Sequence, residues 1–155
     1  MAGRIEARLT ELGIEIPEAA TPVANYVPYV RSGNLVFISG QVTIKNGEFQ
    51  YIGKLGNEIT VETGREAAQL CAINIISQLK AACGGDLDRV NRIVKLTGFV
   101  NSTPDFMDQP KVINGASDLL VEVFGEKGRH SRSAVSAGAL PLGVAVEIEA
   151  IAEIS

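Results

Sequence analysis

Two spacings of hydrophobic residues alternate along this chain. The first strand-like stretch is YVPYVRSGNLVFISGQVTI, residues 26–44. We expect two strands around a turn at RSGN, and a second turn at the following KNGE, because Asn-Gly suits a tight hairpin. Before this stretch, residues 3–12 predict a short amphipathic helix ended by Gly13, and Pro17 and Pro22 break the loop that follows.

From about Val61 to Cys83 the spacing becomes helical, and Gly84 and Gly85 end the predicted helix. Residues 49–60, which precede it, contain glycine and predict a longer loop. The apolar positions of the helix are Ala68, Cys71, Ile75, Ile76, Leu79 and Ala82.

The second half of the chain repeats the alternation. DRVNRIVKLTGFVN, residues 88–101, predicts a strand because it is rich in β-branched residues. Residues 102–125 predict a helix, with Asp105 as a candidate cap and with Pro110 either in the first turn or at a kink. The last two predicted strands, joined around LPLG, are residues 131–138 and 144–154.

This order of elements predicts an α+β domain, in which a single mixed β-sheet has two main helices packed on one face. The predicted strands are apolar on both faces. In one of them Val36 and Ile38 oppose Leu35 and Phe37, and in the 88–101 strand Val94 and Leu96 oppose Ile93 and Phe99. Since two helices cover only one face, we expect a homo-oligomer packed through the other, with a solvent-exposed apolar sheet as the alternative.

Composition narrows the class of protein. The 155 residues are 46% hydrophobic and 21% charged, which is typical of one globular domain. A net charge of -4 argues against broad binding to nucleic acid or to an anionic membrane, with a local basic patch as the alternative. MAGRIEARLTELG has no apolar core of a secretory signal, and no run reaches the length of a membrane span. Cys71 and Cys83 lack zinc-ligand spacing and favour buried free thiols, so we expect a cytoplasmic protein without a metal.

One arginine and three glutamates stand in the otherwise small and apolar end of the chain, and Arg132 and Glu147 each come early in a predicted strand. Arg132 would share a strand face with small neighbours, and a guanidinium with space around it suits a planar carboxylate. A structural salt bridge at a subunit interface is the alternative. Glu147 and Glu149 point the same way from their strand. In one interpretation, one or both of these glutamates face solvent. In the other, a partly buried glutamate positions or deprotonates a water.

Four further polar residues have ordinary interpretations when taken singly. Ser39 in FISGQ suits a strand end, Asn114 a helix surface, and Tyr26 a core or an interface. His130, the single histidine, suits an exposed loop better than catalysis. Motifs such as G-x-S-x-G, the P-loop and the dinucleotide fingerprint are absent from the sequence.

Taken together, three segments resemble the reactive-intermediate deaminases, the Rid or YjgF family, also called endoribonuclease L-PSP-like. They are NYVPYVRSGNLVFISGQV, VKLTGFVNSTPDFMDQPKVIN and RSAVSAGALPLGVAVEIEAIA, and the resemblance runs from about Ala24 to Ile154. It implies a chorismate-mutase-like fold over residues 1–155, with 1–23 as an N-terminal extension typical of longer-chain members. It also implies a homotrimer with three clefts between subunits.

The resemblance further implies a reaction and its residues. Arg132 would hold the carboxylate of a 2-imino acid, Glu147 would place a water against the imine carbon, and Tyr26, Ser39 and Asn114 would line the cleft. The products would be a 2-oxo acid and ammonia, formed without a metal or organic cofactor. Many deaminase members have a cysteine where this chain has Ala134, whose backbone carbonyl alone would remain for the substrate.

The family's usual Pro-Ala before Arg-Ser is also replaced, by His130-Ser131 in this chain.

The leading hypothesis from the resemblance is a hydrolase that deaminates small imines or enamines. A trimer that binds or senses small carboxylates without turnover is the alternative. The ribonuclease activity attached by name to some relatives has less support, because the chain is acidic and has eight aromatic residues.

Overall fold

The computed structural model describes residues 3–20 and 24–155, and it confirms the predicted α+β class. Pro22, the expected loop breaker, lies outside these residues. The helices are α1 (Arg4–Leu12), α2 (Val61–Ala82) and α3 (Gln109–Phe124), with 3₁₀ turns at Leu87–Arg89, Gly125–Gly128 and Pro141–Gly143. The strands are β1 (Tyr29–Ser32), β2 (Leu35–Val42), β3 (Ile44–Lys45), β4 (Glu48–Phe49), β5 (Val90–Asn101), β6 (Ser131–Ala137) and β7 (Val146–Ile154).

Five of the strands form one mixed sheet in the order β1-β2-β7-β5-β6. Only β5 and β6 run parallel, and the other neighbouring pairs are antiparallel. β6 is therefore one edge of the sheet and β1 is the other. The predicted Asn-Gly turn forms the small β3–β4 hairpin, where Asn46 and Gly47 both have positive φ as a tight turn requires.

Helices α2 and α3 pack on one face of the sheet and bury the hydrophobic core. The predicted apolar stripe of α2 lies in that core, and the N-terminus of the helix is capped by the Thr60 hydroxyl, which accepts from the Thr63 amide at 3.2 Å. Cys71 and Cys83 are buried free thiols, as predicted, and burial raises the pKa of the Cys71 thiol. Within residues 3–20 and 24–155, no helix is long and apolar enough to cross a membrane.

Two glycines bring α3 close to its neighbours. A methyl group at Gly98 on β5 would collide with the Ile113 side chain, and one at Gly115 on α3 would collide with the backbone of Arg65 on α2. These close approaches place α3 directly beside β5 and β6. The polar residues of α3 can therefore reach the edge strand.

The prediction for the faces of β5 was wrong. A register shift between Ile93 and Lys95 puts Ile93 and Leu96 on the same buried face, opposite Ala152 and Ala150 of β7. An irregularity of this kind reverses the alternation for every later residue of the strand.

The start of α3 also differs from the prediction. The helix begins after Asp108 rather than after Asp105, whose carboxylate accepts from the Thr103 hydroxyl at 2.8 Å. Pro110 lies in the first turn, where its missing N–H costs no helical hydrogen bond.

The second face of the sheet is apolar and open. Val30 and Phe37 are cross-strand partners there and are 53% and 42% exposed, and Val135 on β6 is 43% exposed beside Phe99. In the part of the chain that the structure describes, no helix covers this face. We refer to these four residues and Ile151 as the open-face patch.

Candidate functional site

Arg132 lies on the helix-covered face of β6, at the edge of the sheet. Its register partner on β5 is the buried Leu96, which fixes the direction of the side chain. The guanidinium bonds to α3: Nη1 donates to the Ser117 hydroxyl at 3.1 Å and Nη2 donates to the Pro110 carbonyl at 3.3 Å. Arg132 thus contacts uncharged oxygens here, and its positive charge remains available to an anion.

Asn114 and Ala134 lie beside this arginine. Asn114 is four residues after Pro110 and three before Ser117, so helical geometry puts all three on the stripe of α3 that faces β6. Ala134 follows Arg132 on the same strand face and pairs with Gly98 of β5. The small side chain of Ala134 leaves room next to the guanidinium.

His130 lies in a loop, as predicted, between the 3₁₀ turn Gly125–Gly128 and β6, but the prediction that it is exposed was wrong. The imidazole is partly buried, with Nδ1 2.6 Å from the Gly128 carbonyl and Nε2 2.9 Å from the Ser117 hydroxyl. Burial lowers the pKa of His130, and the nearby Arg132 lowers it further, against the opposing effect of the Gly128 carbonyl. We call Arg132, Asn114, Ser117, His130 and Ala134 the Arg132 cluster.

Glu147 lies on the other face of the sheet. It pairs with Val42 of β2 and with Phe99 of β5, and its side chain lies over Gly40 at the irregularity of β2. A methyl group at Gly40 would collide with the carboxylate, so glycine makes the space that Glu147 occupies. Burial raises the pKa of Glu147, and the charge of Glu149 raises it further.

Ser39 connects β2 to the segment that carries Tyr26. Its hydroxyl donates to the Val27 carbonyl at 2.8 Å, and its amide donates to the Pro28 carbonyl at 2.9 Å. Tyr26 is 58% exposed. We call Glu147, Gly40, Ser39 and Tyr26 the Glu147 cluster, because Glu147 lies over Gly40, Gly40 follows Ser39, and Ser39 bonds to the residue after Tyr26.

The two clusters do not meet within one chain. Glu147 on β7 and Arg132 on β6 are separated by β5, which amounts to two strand spacings or roughly 10 Å along the sheet. They also point to opposite faces, because Glu147 pairs with the open-face residue Phe99 whereas Arg132 pairs with the buried Leu96. A small substrate cannot touch both side chains of the same subunit.

A cavity of the described part of the chain lies away from both clusters. It has a volume of about 740 Å³ between residues 13–20, α2 and the β3–β4 hairpin. Its lining in the described part of the chain includes Asn74 and Gln78, and it contains none of the predicted site residues.

This sheet, with α2 and α3 on one face, is the chorismate-mutase-like fold, and comparison with known proteins identifies the family. A model described as "YjgF/chorismate mutase-like, putative endoribonuclease" matches residues 6–154, so the chain belongs to the YjgF or Rid family. The resemblance inferred from its motifs is thereby confirmed.

Three related proteins illustrate how similar this chain is to known sequences and structures. Protein TCP17 of Trypanosoma cruzi is 50% identical over 155 residues, covering 99% of this chain and 96% of that protein. A solved structure of a protein of unknown function from Agrobacterium tumefaciens has a TM-score of 0.92 at 49% identity, covering 97% and 92% of the two chains. A 2-iminobutanoate/2-iminopropanoate deaminase of Dermatophagoides farinae is 28% identical over 138 residues, covering 89% of this chain and 92% of that one.

Proposed function

We propose that this protein hydrolyses small 2-imino acids to 2-oxo acids and ammonia, in clefts where the Arg132 cluster of one subunit meets the Glu147 cluster of the next. The observation that carries this proposal is the division of the predicted site. One chain holds an arginine suited to a carboxylate and a partly buried glutamate on opposite faces of the sheet, and each lies at a surface that a second copy can cover.

Arg132 is well suited to a carboxylate. A guanidinium carries five N–H donors in a planar fork, and α3 uses two of them here, so three remain for a ligand. Asn114 and the Ala134 carbonyl add polar groups at the same edge. Alanine at position 134 keeps that carbonyl and removes the thiol, so cysteine oxidation at this position would not regulate the site.

Glu147 is suited to proton transfer with water. A raised pKa makes a carboxylate a better base, since general catalysis is most efficient when the pKa approaches the working pH. Glu147 would take a proton as the water oxygen bonds to the imine carbon. That proton passes to the imine nitrogen, which gives a carbinolamine. The remaining hydroxyl proton then moves to the nitrogen by the same route, the carbon–oxygen double bond forms as the carbon–nitrogen bond breaks, and ammonia leaves. The imine carbon is already electrophilic, so the step requires neither a metal nor a covalent nucleophile.

A ring of subunits would complete the site. The surface around Glu147 and the open-face patch would contact a different surface, the α3–β6 edge, of the neighbour. Such heterologous contacts form closed rings rather than twofold dimers, and we propose the trimer that the family resemblance implies. Burial of the open-face patch at about 25 cal/mol per Å² would stabilise that ring. The buried free thiols fit a cytoplasmic location, which we also propose.

Ammonia release tests the proposal. Wild-type protein, mixed with a freshly generated imine of pyruvate or 2-oxobutanoate, should release ammonia faster than the buffer control. Arg132→Ala should weaken pyruvate binding by about ten- to a hundredfold, the effect of losing charge-assisted hydrogen bonds worth roughly 1.5–3 kcal/mol. Arg132→Lys should restore part of that affinity, because an ammonium lacks the two-point contact.

The same assay distinguishes an enzyme from a binding module. Glu147→Gln should reduce turnover by about a hundred- to ten-thousandfold while pyruvate binding persists. If the wild-type protein binds pyruvate through Arg132 but accelerates the hydrolysis of no small imino acid, the protein binds carboxylates without turnover and the deaminase proposal is wrong.

A further inference from the structure

We propose that His130, acting through Ser117, positions the Arg132 guanidinium for carboxylate binding, and that it does so only as a neutral imidazole. The inference rests on the proposed function, because the carboxylate site that it tunes is the one described above. His130 is a positioning residue, since its ring contacts Ser117 and Gly128 and is not among the groups proposed to touch substrate.

The direction of each hydrogen bond follows from the chemistry of the groups. The Gly128 carbonyl can only accept, so the His130 nitrogen 2.6 Å away, Nδ1, carries the ring proton. Arginine can only donate, so the Ser117 oxygen accepts from Arg132 Nη1 at 3.1 Å. The hydroxyl proton of Ser117 is then free to bond to His130 Nε2 at 2.9 Å.

The result is one directed chain of hydrogen bonds. It runs from Arg132 through Ser117 to His130 and ends on the backbone at Gly128, and every member has a partner of the right kind. With the Pro110 carbonyl holding Nη2 at 3.3 Å, the guanidinium plane is fixed at two points by α3. A fixed plane binds a planar carboxylate with a smaller loss of conformational entropy.

Protonation of His130 would break this chain. Nε2 would become a donor facing a hydroxyl that already accepts from Arg132, and a second cation would lie beside the guanidinium. Burial and the Arg132 charge lower the pKa of His130 from 6.5, which keeps the acceptor form dominant at neutral pH.

The other charged groups nearby are largely paired with each other. Asp118, next to Ser117 on α3, pairs with Arg65, and Glu126 of the 3₁₀ turn pairs with Arg129. Arg92 of β5 donates to the Arg129 carbonyl. The remaining charged residues on the elements packed around His130 are Lys95 on β5, Lys111 and Glu122 on α3, and Lys127 in the 3₁₀ turn. Among the charged groups of residues 3–20 and 24–155, Arg132 is the one that shifts the His130 pKa.

The histidine itself gives the first test, which needs no ligand. Because the chain has one histidine, ¹⁵N-histidine labelling gives a single imidazole spectrum. We expect the proton on Nδ1 at neutral pH and an unprotonated Nε2, with a loss of this fixed tautomer in Ser117→Ala. A proton on Nε2 in the wild-type protein would overturn the inference, because Nε2 could not then accept from Ser117.

A double-mutant cycle on pyruvate affinity gives the second test. His130→Ala and Ser117→Ala should each weaken binding about three- to tenfold, the net value of one hydrogen bond. The double variant should bind pyruvate no more weakly than the weaker-binding of the two single variants, because both changes break the same chain of hydrogen bonds. His130→Gln should restore affinity, since its amide oxygen accepts from Ser117. Asp118→Asn, one residue along α3, is the matched control and should bind as the wild type does.

The pH dependence gives a readout that a purely structural role would not change. In a Glu147→Gln background, which removes the Glu147 titration, pyruvate affinity should fall as pH drops through the His130 pKa, below 6.5. Adding His130→Gln to this variant should abolish the fall in pyruvate affinity at low pH. Three results would each overturn the inference. The effects of His130→Ala and Ser117→Ala on pyruvate affinity could be additive, the affinity could fail to fall at acid pH, or the fall could persist in the His130→Gln variant.

These outcomes separate the inference from the proposed function. The wild-type protein could bind pyruvate, with the predicted double-mutant cycle and pH dependence, and yet hydrolyse no imine faster than buffer does. In that case the positioning role of His130 is supported and the deaminase proposal is wrong. If imines are hydrolysed and His130→Ala binds pyruvate normally, the positioning role falls alone. If the wild-type protein does not bind pyruvate, both are wrong.

Discussion

At the residue scale, Glu147 occupies a position that costs stability at neutral pH. Its carboxylate lies against the sheet beside Glu149, and burial, followed by that like charge, raises its pKa above the usual value. A raised pKa means that the folded state favours the protonated form. The associated stabilisation is complete at pH below the unfolded pKa and is lost as pH rises through the folded one.

Glu147→Gln should therefore raise the melting temperature at neutral pH. The difference from wild type should shrink as the pH falls through the raised folded-state pKa and should be gone below the ordinary glutamate value of 4.5, because the wild-type side chain is then neutral in both states. Thermal unfolding of both proteins from acid to neutral pH measures this. Glu149→Gln in the wild-type background should lower the pKa of Glu147 by removing the like charge. A glutamine variant that is less stable at neutral pH would contradict this account of Glu147.

Gly40 gives a second test at this scale. Gly40→Ala should push the Glu147 carboxylate out of its place and lower imine hydrolysis, because the added methyl group would overlap that carboxylate. Gly138→Ala is the matched control, since Gly138 has no positive φ and nothing lies within 4 Å of an added methyl. Hydrolysis rates and Glu147 side-chain NMR shifts should change in the first variant only. Equal rates in both variants would show that Gly40 does not place Glu147.

At the element scale, α1 is held to the domain by a distant carboxylate. Asp88 accepts from the Arg4 amide at 3.0 Å and from the Ile5 amide at 2.9 Å, so a side chain 84 residues away satisfies the first turn of the helix. The Ile5 and Arg4 amide bonds, in that order, lower the pKa of Asp88. Leu9 then buries its side chain in the core.

The stabilisation of α1 by Asp88 should depend on pH in the opposite sense to the contribution of Glu147 to stability. A lowered pKa gives stability that is present above the unfolded value and is lost as pH falls through the folded value, here below 3.8. Asp88→Ala should speed hydrogen exchange throughout α1 and leave α2 protected. Asp105→Ala is the control, because its carboxylate accepts from Thr103 instead. Slow exchange of α1 in the Asp88 variant would show that Leu9 packing alone holds the helix.

Elements were more predictable from the sequence than the details within them. Helical spacing places α2 because its apolar residues lie on one stripe, and Asn-Gly places the β3–β4 turn. The irregularity of β5 at Val94 leaves no mark on composition, so alternation assigned Leu96 to the wrong face. Asp105 and Asp108 are equally plausible caps by residue type, and only the backbone path to Pro110 distinguishes them.

At the scale of the whole molecule, the candidate residues can be named from the sequence, but their placement on the two faces of one sheet cannot. Arg132 and Glu147 follow from motif resemblance and from the scarcity of charge near the end of the chain. Their placement on opposite faces follows from the sheet order, which joins strands distant in sequence. Ser117 gave no sequence signal, because a serine on a helix surface is common, and its importance lies in its contacts with His130 and Arg132.

The measurement that tests the central claim most directly is subunit complementation. Arg132→Ala and Glu147→Gln should each be nearly inactive as pure proteins. When the two are unfolded together and refolded in equal amounts, each of the two positions in a shared site is filled correctly half of the time, so about one site in four should be complete. Light scattering should give three times the chain mass of 16.4 kDa for this mixture. Recovery of about a quarter of wild-type imine hydrolysis is the predicted result, and a mixed trimer that stays as inactive as its parents would contradict a site shared between subunits.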